Sequence, residues 1–356
     1  MEMIKARLEK LRLSMRCDAV LLASGIGSRY LSDFDFSDGY VLVTAENAFL
    51  LTDFRYIEAA KKAAGDDFTV IMFEGAHAAQ ISPILAEAHV TALGYEDRAL
   101  TCSTLEGLKR DFPLLRFEPV GGLIEDLREY KDETELARIE AAQRIAESAL
   151  EFMLGTINPD MTEREVALEL EYQMRRRGSE GVAFETIAVS GTASALPHGV
   201  PRDVKLERGF LTLDFGAVVG GYRSDMTRTV VIGGVTPEMK KVYDTVKAAQ
   251  EAALEVIAAG KTGAEIDRIA RDLIDNAGYK GCFGHGLGHG VGLEIHEAPR
   301  LSKGAGDKKL APGHVVTVEP GIYLEGKFGV RIEDMVVIKT DGAVNLTRAP
   351  KELLVI

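Results

Sequence analysis

Four carboxylates set in two similar apolar hairpins are the residues of this chain best placed to do chemistry. The stretch LTLDFGAVVGGYRSDMTRTVVI, residues 211–232, carries Asp214 and Asp225 between apolar and β-branched runs split by Gly220-Gly221. Such runs around a glycine pair read as a β-hairpin. A turn centred on Val219-Gly220 sets Asp214 directly opposite Asp225. A second stretch, HVVTVEPGIYLEGKFGVRIEDMVVI, residues 314–338, carries Glu319 and Glu333, which face each other about a turn centred on Gly326. Like charges directly opposite one another destabilise a sheet, and a buried unpaired carboxylate costs more. Cations must balance the set, and a pair of divalent ions is the direct solution. A lone Asp or Glu is ordinarily a surface residue; the matched placement of four favours an ion site.

Histidine usage points to the same place. Of seven histidines, five fall from His198 to His314, and three (His285, His289 and His296) lie in GHGLGHGVGLEIHEAP, residues 284–299. The glycines beside them let the backbone turn tightly and approach a site closely. The loop lacks the GK[ST] ending of a P-loop and is no GxGxxG fingerprint at the start of a βαβ unit. Acids beside imidazoles suggest ions held by one imidazole and several oxygens. Such a set favours Mn²⁺ or another first-row divalent ion over a thiolate zinc site.

The elements that must position these residues fall into two parts. From about Ala19, short apolar strands (AVLLAS, GYVLVTA, AFLLTD, FTVIMF) alternate with helical patterns such as Arg55 to Ala64, the signature of an α/β domain. It occupies residues 1–127. The charged stretch 128–135 is a linker into a long helix, Glu133 to Leu154, and a second domain runs over 136–356. That second domain repeats itself. A helix pair opened by the capping box Thr162–Glu165 precedes the first hairpin, and one opened by Thr262–Glu265 precedes the second. Pro237 to Ala259 and the segment ending at Gly278 are the helices of the second pair. Two halves related by a pseudo-twofold follow, each presenting two acids.

Composition excludes other classes. The chain has 356 residues and a formal net charge of -13, which argues against nucleic acid as a partner. No apolar run approaches the ~18 residues of a membrane span. The N-terminal MEMIKARLEKLRLSM reads as an amphipathic helix rather than a signal peptide. Three scattered cysteines, Cys17, Cys102 and Cys282, suit neither disulfides nor a thiolate site and favour a reducing cytoplasm.

Assembled, these residues resemble the pita-bread metallopeptidase family, which includes aminopeptidase P, prolidase and methionine aminopeptidase. The resemblance covers nearly the whole chain. SRYLSDF and LLTDFRYIEAA are similar to the creatinase-type N-terminal domain. LDFG supplies Asp214, SDMTR Asp225, HGVGLEIH His289, VEPG Glu319 and RIED Glu333, in the family's order. The resemblance implies an α/β (α+β) chain: a creatinase-type N-terminal domain, then a pseudo-twofold pita-bread catalytic domain. It also implies two divalent ions, Mn²⁺ first, with Co²⁺ or Zn²⁺ as alternatives. Asp225 and Glu333 would bridge both ions, Asp214 would complete one, and His289 with Glu319 the other. Glu319, His198 and His296 are the implied catalytic residues, Glu319 shuttling a proton and the histidines facing the scissile carbonyl. His285, Tyr323 and Arg331 would orient Glu319 and Glu333; for the last two, ordinary packing competes closely with that role.

The implied reaction is hydrolysis of the bond between an N-terminal residue and proline in short peptides. The aminopeptidase reading leads, with an Xaa-Pro dipeptidase as the alternative; Arg300, in HEAPRLS, is the candidate partner for a dipeptide carboxylate. A non-catalytic pita-bread binding protein is the remoter alternative and would lack some of the acids. Methionine aminopeptidase normally lacks the N-terminal domain, and creatinase does not keep the metal ligands. Relatives are commonly homodimers in which the N-terminal domain shapes access to the site.

Overall fold

A computed structural model describes residues 2–356, and the chain forms two compact units, Met1–Arg128 and Glu129–Ile356. The first unit opens with helix α1 (Glu2–Ser14) and then builds one mixed sheet. Its strands are β1 (Ala19–Leu22), β2 (Gly39–Thr44), β3 (Ala48–Thr52), β4 (Thr69–Met72), β5 (Ala92–Tyr95) and β6 (Arg116–Pro119). The spatial order is β4-β3-β2-β1-β5-β6. Antiparallel pairs join β1 to β2 and β2 to β3, and the outer pairs are parallel. Helices α2 (Gly25–Ser32), α3 (Ile57–Ala64), α4 (His77–Glu87) and α5 (Cys102–Asp111) connect them, and α6 (Leu123–Arg128) follows the last strand. Four of the six strands are the apolar runs legible in the sequence. The sequence reading did not mark β5, a short apolar ALGY, or β6. β6 reads RFEP and lies at the sheet edge, where charge and proline suit a strand unpaired on one side.

The second unit opens with α7 (Glu133–Leu154). Asp132 accepts from the Glu135 N–H while the Glu135 carboxylate accepts from the Asp132 N–H, a reciprocal cap. Ile139, Ala142, Ala146, Ala149, Leu150 and Met153 form its buried stripe. Then come α8 (Glu163–Arg176), β7 (Ile187–Ser190), β8 (Gly209–Phe215), the short β9 (Val218–Val219) and β10 (Tyr222–Arg223), and β11 (Met226–Ile232). The second half repeats the plan. It contains α9 (Pro237–Val256), α10 (Gly263–Ile274), β12 (Gly288–Gly290), β13 (Glu297–Leu301), β14 (Val315–Val318), β15 (Gly321–Leu324), β16 (Phe328–Arg331), β17 (Asp334–Lys339) and β18 (Gly342–Asn345). The main sheets run β11-β8-β7 and β13-β12-β14-β17-β18, each packed into its own apolar cluster.

The repeat extends to detail. Both capping boxes form, and the N-cap threonines make equivalent antiparallel bridges, Thr162 to Lys205 and Thr262 to Lys309. Helix α9 stops at Val256, three residues short of the expected Ala259, because Ile257 turns extended and is buried in the core cluster. Helix α10 gives way after Ile274 to a wider turn, closed at Gly278 with φ 95°.

The first hairpin corrects the expected register. Asp214 pairs with Thr227, and Val219 pairs with Tyr222, so the turn is Gly220-Gly221 rather than Val219-Gly220. Both glycines have positive φ, 56° and 80°, as a two-residue type I′ turn requires. Asp225 is therefore displaced by two residues from the position opposite Asp214. Because side chains alternate with period two, the displacement keeps both carboxylates on the same face. In the second hairpin Val318 pairs with Asp334 and Gly321 with Arg331, which sets Glu319 and Glu333 across from each other as the sequence indicates.

Candidate metal centre

A cavity of about 720 Å³ in the second unit is lined by Asp214, Asp225, His285, His289, Glu319, Arg331 and Glu333, with His198, His296 and Arg300 toward its rim. Of the residues singled out from sequence, only Tyr323 stands outside the lining; it is bonded from behind to His285 and Arg331. Ligand atoms of Asp225, His289 and Glu333 all lie within 4.8 Å of one another. His289 Nε2 is 3.2 Å from Glu319 Oε1 and 3.6 Å from Asp225 Oδ2.

Local structure explains the convergence. Asp214 is held in the central strand of its sheet. Asp225 precedes β11, where Ser224 and Ala217 close the hairpin. At Gly216 a Cβ would lie 1.9 Å from the Ser224 carbonyl oxygen, so only glycine fits between the two acids. His289 lies on a strand with a register break: it pairs with Arg300 while Gly290 pairs with Glu297, and such a bulge re-aims a side chain. Its Nδ1–H donates to the Gly290 carbonyl, leaving Nε2 turned toward the acids.

The electrostatics show what is missing from a protein-only balance. Burial pushes the Asp225 carboxyl well above its ordinary value, and neighbouring Asp214 pushes it further. Burial does the same to Glu333, with Asp225, Glu319 and Asp214 adding to it. Asp214 is also raised by burial, against the pull of Arg331. Burial alone would raise Glu319, but the hydrogen bond and charge of His289 overcome it and lower it to about 2. Burial would likewise lower His289, yet Glu319 and Asp225 lift it to about 9. The fully buried Asp214 Oδ1 has no hydrogen-bond partner. Among the four carboxylates the buried cations are Arg331 and His289, while burial lowers the pKa of His285 and His296, so the donor set is short of positive charge and rich in hard oxygen. That composition fits divalent cations.

A hydrogen-bonded relay stands behind the acids. Arg331 donates to Asp214 Oδ2 at 2.6 Å and to the Tyr323 hydroxyl at 2.8 Å. The Tyr323 hydroxyl lies 2.9 Å from His285 Nε2. Since His285 Nδ1–H donates to the Gly286 carbonyl, its Nε2 accepts from Tyr323. Burial first, and then Arg331, keeps His285 neutral by lowering its pKa despite Glu319 nearby. Burial and the charges of His289 and Arg300 lower His296 to about 4.

Two participants escaped the sequence reading. Thr227 donates to Glu333 Oε2 at 2.7 Å and accepts from Arg331. Thr317 donates to Glu319 Oε1 at 3.1 Å and accepts from the His289 N–H. Each sits two residues from an acid along a strand, so the period-two rule placed them on the acid face in advance.

Comparison with known proteins gives a consistent picture. The pattern of metallopeptidase family M24 matches residues 137–340, and that of the creatinase/prolidase N-terminal domain matches residues 7–130. A protein named Xaa-Pro dipeptidase from Pyrococcus furiosus is 40% identical over 356 residues, covering 99% of this chain and all of that one. Among solved structures, an Xaa-Pro dipeptidase from Bacillus anthracis superposes with a TM-score of 0.96 at 40% identity, over 99% of this chain and 100% of the other. An X-Pro aminopeptidase from Thermotoga maritima gives 0.93 at 39% identity, over 98% and 100%.

Proposed function

The chain belongs to metallopeptidase family M24, and on that premise we propose that it hydrolyses the bond between an N-terminal residue and a following proline, preferring dipeptides. Three buried acids, the part-buried Glu319 and one histidine on a cavity rimmed by the exposed His198, His296 and Arg300 carry the reading. The aminopeptidase alternative has support from the Thermotoga maritima relative. Both the curated Pyrococcus furiosus relative and the Bacillus anthracis structure bear the dipeptidase name, which favours that form. A binding protein of the same fold would have lost ligand positions, and this chain keeps all five.

Asp214, Asp225, His289, Glu319 and Glu333 would hold two divalent ions, Mn²⁺ by preference, with Co²⁺ or Zn²⁺ as alternatives. Once bound, such ions supply Lewis acidity and lower the pKa of water to near neutrality. The side chains do the rest. Glu319, whose side chain retains 15% exposure toward the cavity, takes the proton of the attacking water and delivers it to the departing proline nitrogen. His198 and His296 donate to the carbonyl oxygen as it gains negative charge. The Arg331–Tyr323–His285 relay holds Asp214 and the surroundings of Glu319 in place.

Proline matters because its amide carries no N–H and its ring fixes φ. A site that aims donors at the carbonyl needs no contact with the missing hydrogen. Phe184, Ile187 and Ile295 give the cavity an apolar wall for the ring, and Arg300 would take the free carboxylate of a dipeptide.

The three cysteines are unpaired, which suits the proposed cytoplasmic location. No helix among the described residues is long and apolar enough to cross a membrane. The proposed homodimer is carried over from the family resemblance, and light scattering tests it. For activity, the chelated protein is assayed with Mn²⁺, Co²⁺ or Zn²⁺ against Ala-Pro, Ala-Pro-Ala and Ala-Ala. Turnover of Ala-Pro well above the other two is expected. Absence of Xaa-Pro hydrolysis with all three ions overturns the reading; equal turnover of the tripeptide reverts it to the aminopeptidase form.

A further inference from the structure

His198 stands on a segment that leaves β7 at Ser190, makes a tight turn over Gly191–Ala195 and returns at Arg202. Pro197, His198, Gly199, Val200 and Pro201 of this segment line the cavity. Its two ends meet on one residue, Glu163, the first of helix α8, whose side chain is completely buried.

The contacts are dense. Glu163 Oε1 accepts from the Ser190 N–H at 2.7 Å, the Ser190 hydroxyl at 2.8 Å and Arg202 Nη2 at 2.6 Å. Oε2 accepts from the Arg202 N–H at 3.0 Å and from Arg202 Nε at 2.9 Å. The bidentate guanidinium and both backbone N–H groups thus fix Ser190 and Arg202 against each other through a single carboxylate. Such charge-assisted, two-point bonds are strong and directional. The carboxylate also lies at a helix N-terminus, where negative charge is favoured. In turn, α8 donates the Glu163 and Arg164 N–H groups to the carbonyls of Val204 and Arg202, so the returning strand lies across the helix end. Midway along the segment, Arg331 donates to the Pro197 carbonyl at 3.1 Å. Neither Glu163 nor Arg202 lines the metal cavity. A buried carboxylate with five donors, tied to a loop rather than to an ion, needs a reason.

We propose that Glu163 and Arg202 are positioning residues that set the His198 imidazole over the cavity by closing the segment between Ser190 and Arg202 at its base. The inference rests on the reading of His198 as a donor to the scissile carbonyl. Near-attack geometry is demanding, and a shift of about 1 Å can cost up to about a hundredfold in rate. The clamp therefore acts on turnover through His198 and leaves ion binding alone.

A double-mutant cycle on the metal-loaded enzyme with Ala-Pro tests this, using E163Q, H198A and the pair. H198A is expected to lower kcat about a hundredfold, as for a lost oxyanion donor. E163Q is expected to lower kcat about tenfold, with KM changed less than about threefold and with Mn²⁺ affinity by calorimetry unchanged. In the H198A background E163Q should cost nothing further. R202M, whose side chain is 39% exposed, repeats the cycle where E163Q folds poorly. Additive losses overturn the proposal, since the clamp then acts elsewhere. Weakened Mn²⁺ binding in E163Q overturns it too. If H198A alone leaves kcat intact, the role of His198 fails first, and that failure is read directly from the single variant.

Discussion

Arg331 Nη2 sits 2.6 Å from one oxygen of Asp214, while the other oxygen, buried, has no hydrogen-bond partner. One positive charge is thus committed to half of one carboxylate, and three more acids crowd the same cavity. The protein alone leaves this centre electrostatically unfinished, and the first prediction concerns its behaviour without ions.

Metal-free protein should lose stability as pH rises from about 5 to 9. Asp214, Asp225 and Glu333 have folded pKa values above their ordinary ones, so the fold retains protons that the unfolded chain, with carboxyls near 4, has released. His289, raised to about 9, acts in the same sense: its contribution is complete below the ordinary imidazole value of about 6.5 and is lost as pH passes 9. Glu319, near 2, stabilises above about 4 and matters only in acid. Urea melts in chelator across this range should show the decline, and saturating Mn²⁺ should flatten it. A chelated protein equally stable at every pH would refute the electrostatic picture.

Substituting D225N or E333Q should abolish stoichiometric ion binding and turnover together. It should also make the metal-free protein more stable at pH 8, because a neutral amide replaces a carboxylate whose charged form burial disfavours. Mass spectrometry of the native protein reads the ions, and chemical denaturation reads the stability. Retained turnover would remove that residue from the site.

R300L should raise KM for Ala-Pro by roughly 10- to 100-fold, the cost of one charge-assisted hydrogen bond. Ala-Pro-amide, which has no terminal carboxylate, should be affected far less. Equal losses on both would mean that Arg300 does not read the carboxylate.

G216A should destabilise by about 1–3 kcal/mol, because the new methyl would meet the Ser224 carbonyl and the Ala183 side chain. Ion affinity should fall as well, since Gly216 separates the two acids of the first hairpin. G284A, which meets nothing within 4 Å, is the control and should stay within about 0.5 kcal/mol.

Legibility in the sequence followed chemistry that is local. A two-residue turn with both φ values positive excludes a β-branched residue, so Val219 could never have been in the turn and Gly220-Gly221 had to be. The wrong centring nevertheless kept both acids on one face, because a slip of two residues conserves parity. Thr227 and Thr317 were open to the same period-two reasoning. The clamp was not: Glu163 and Arg202 lie in different elements, and no local pattern joins a helix's first residue to a returning loop. Strand β6 was hidden for a related reason, since its charged sequence makes sense only beside β5.

The two halves of the catalytic unit contribute unequally: Asp214 and Asp225 come from the first, His289, Glu319 and Glu333 from the second. Neither half carries all five of the proposed ligands. The full set of five exists only once the two halves have docked, so ions that need all of them would be captured by the finished fold.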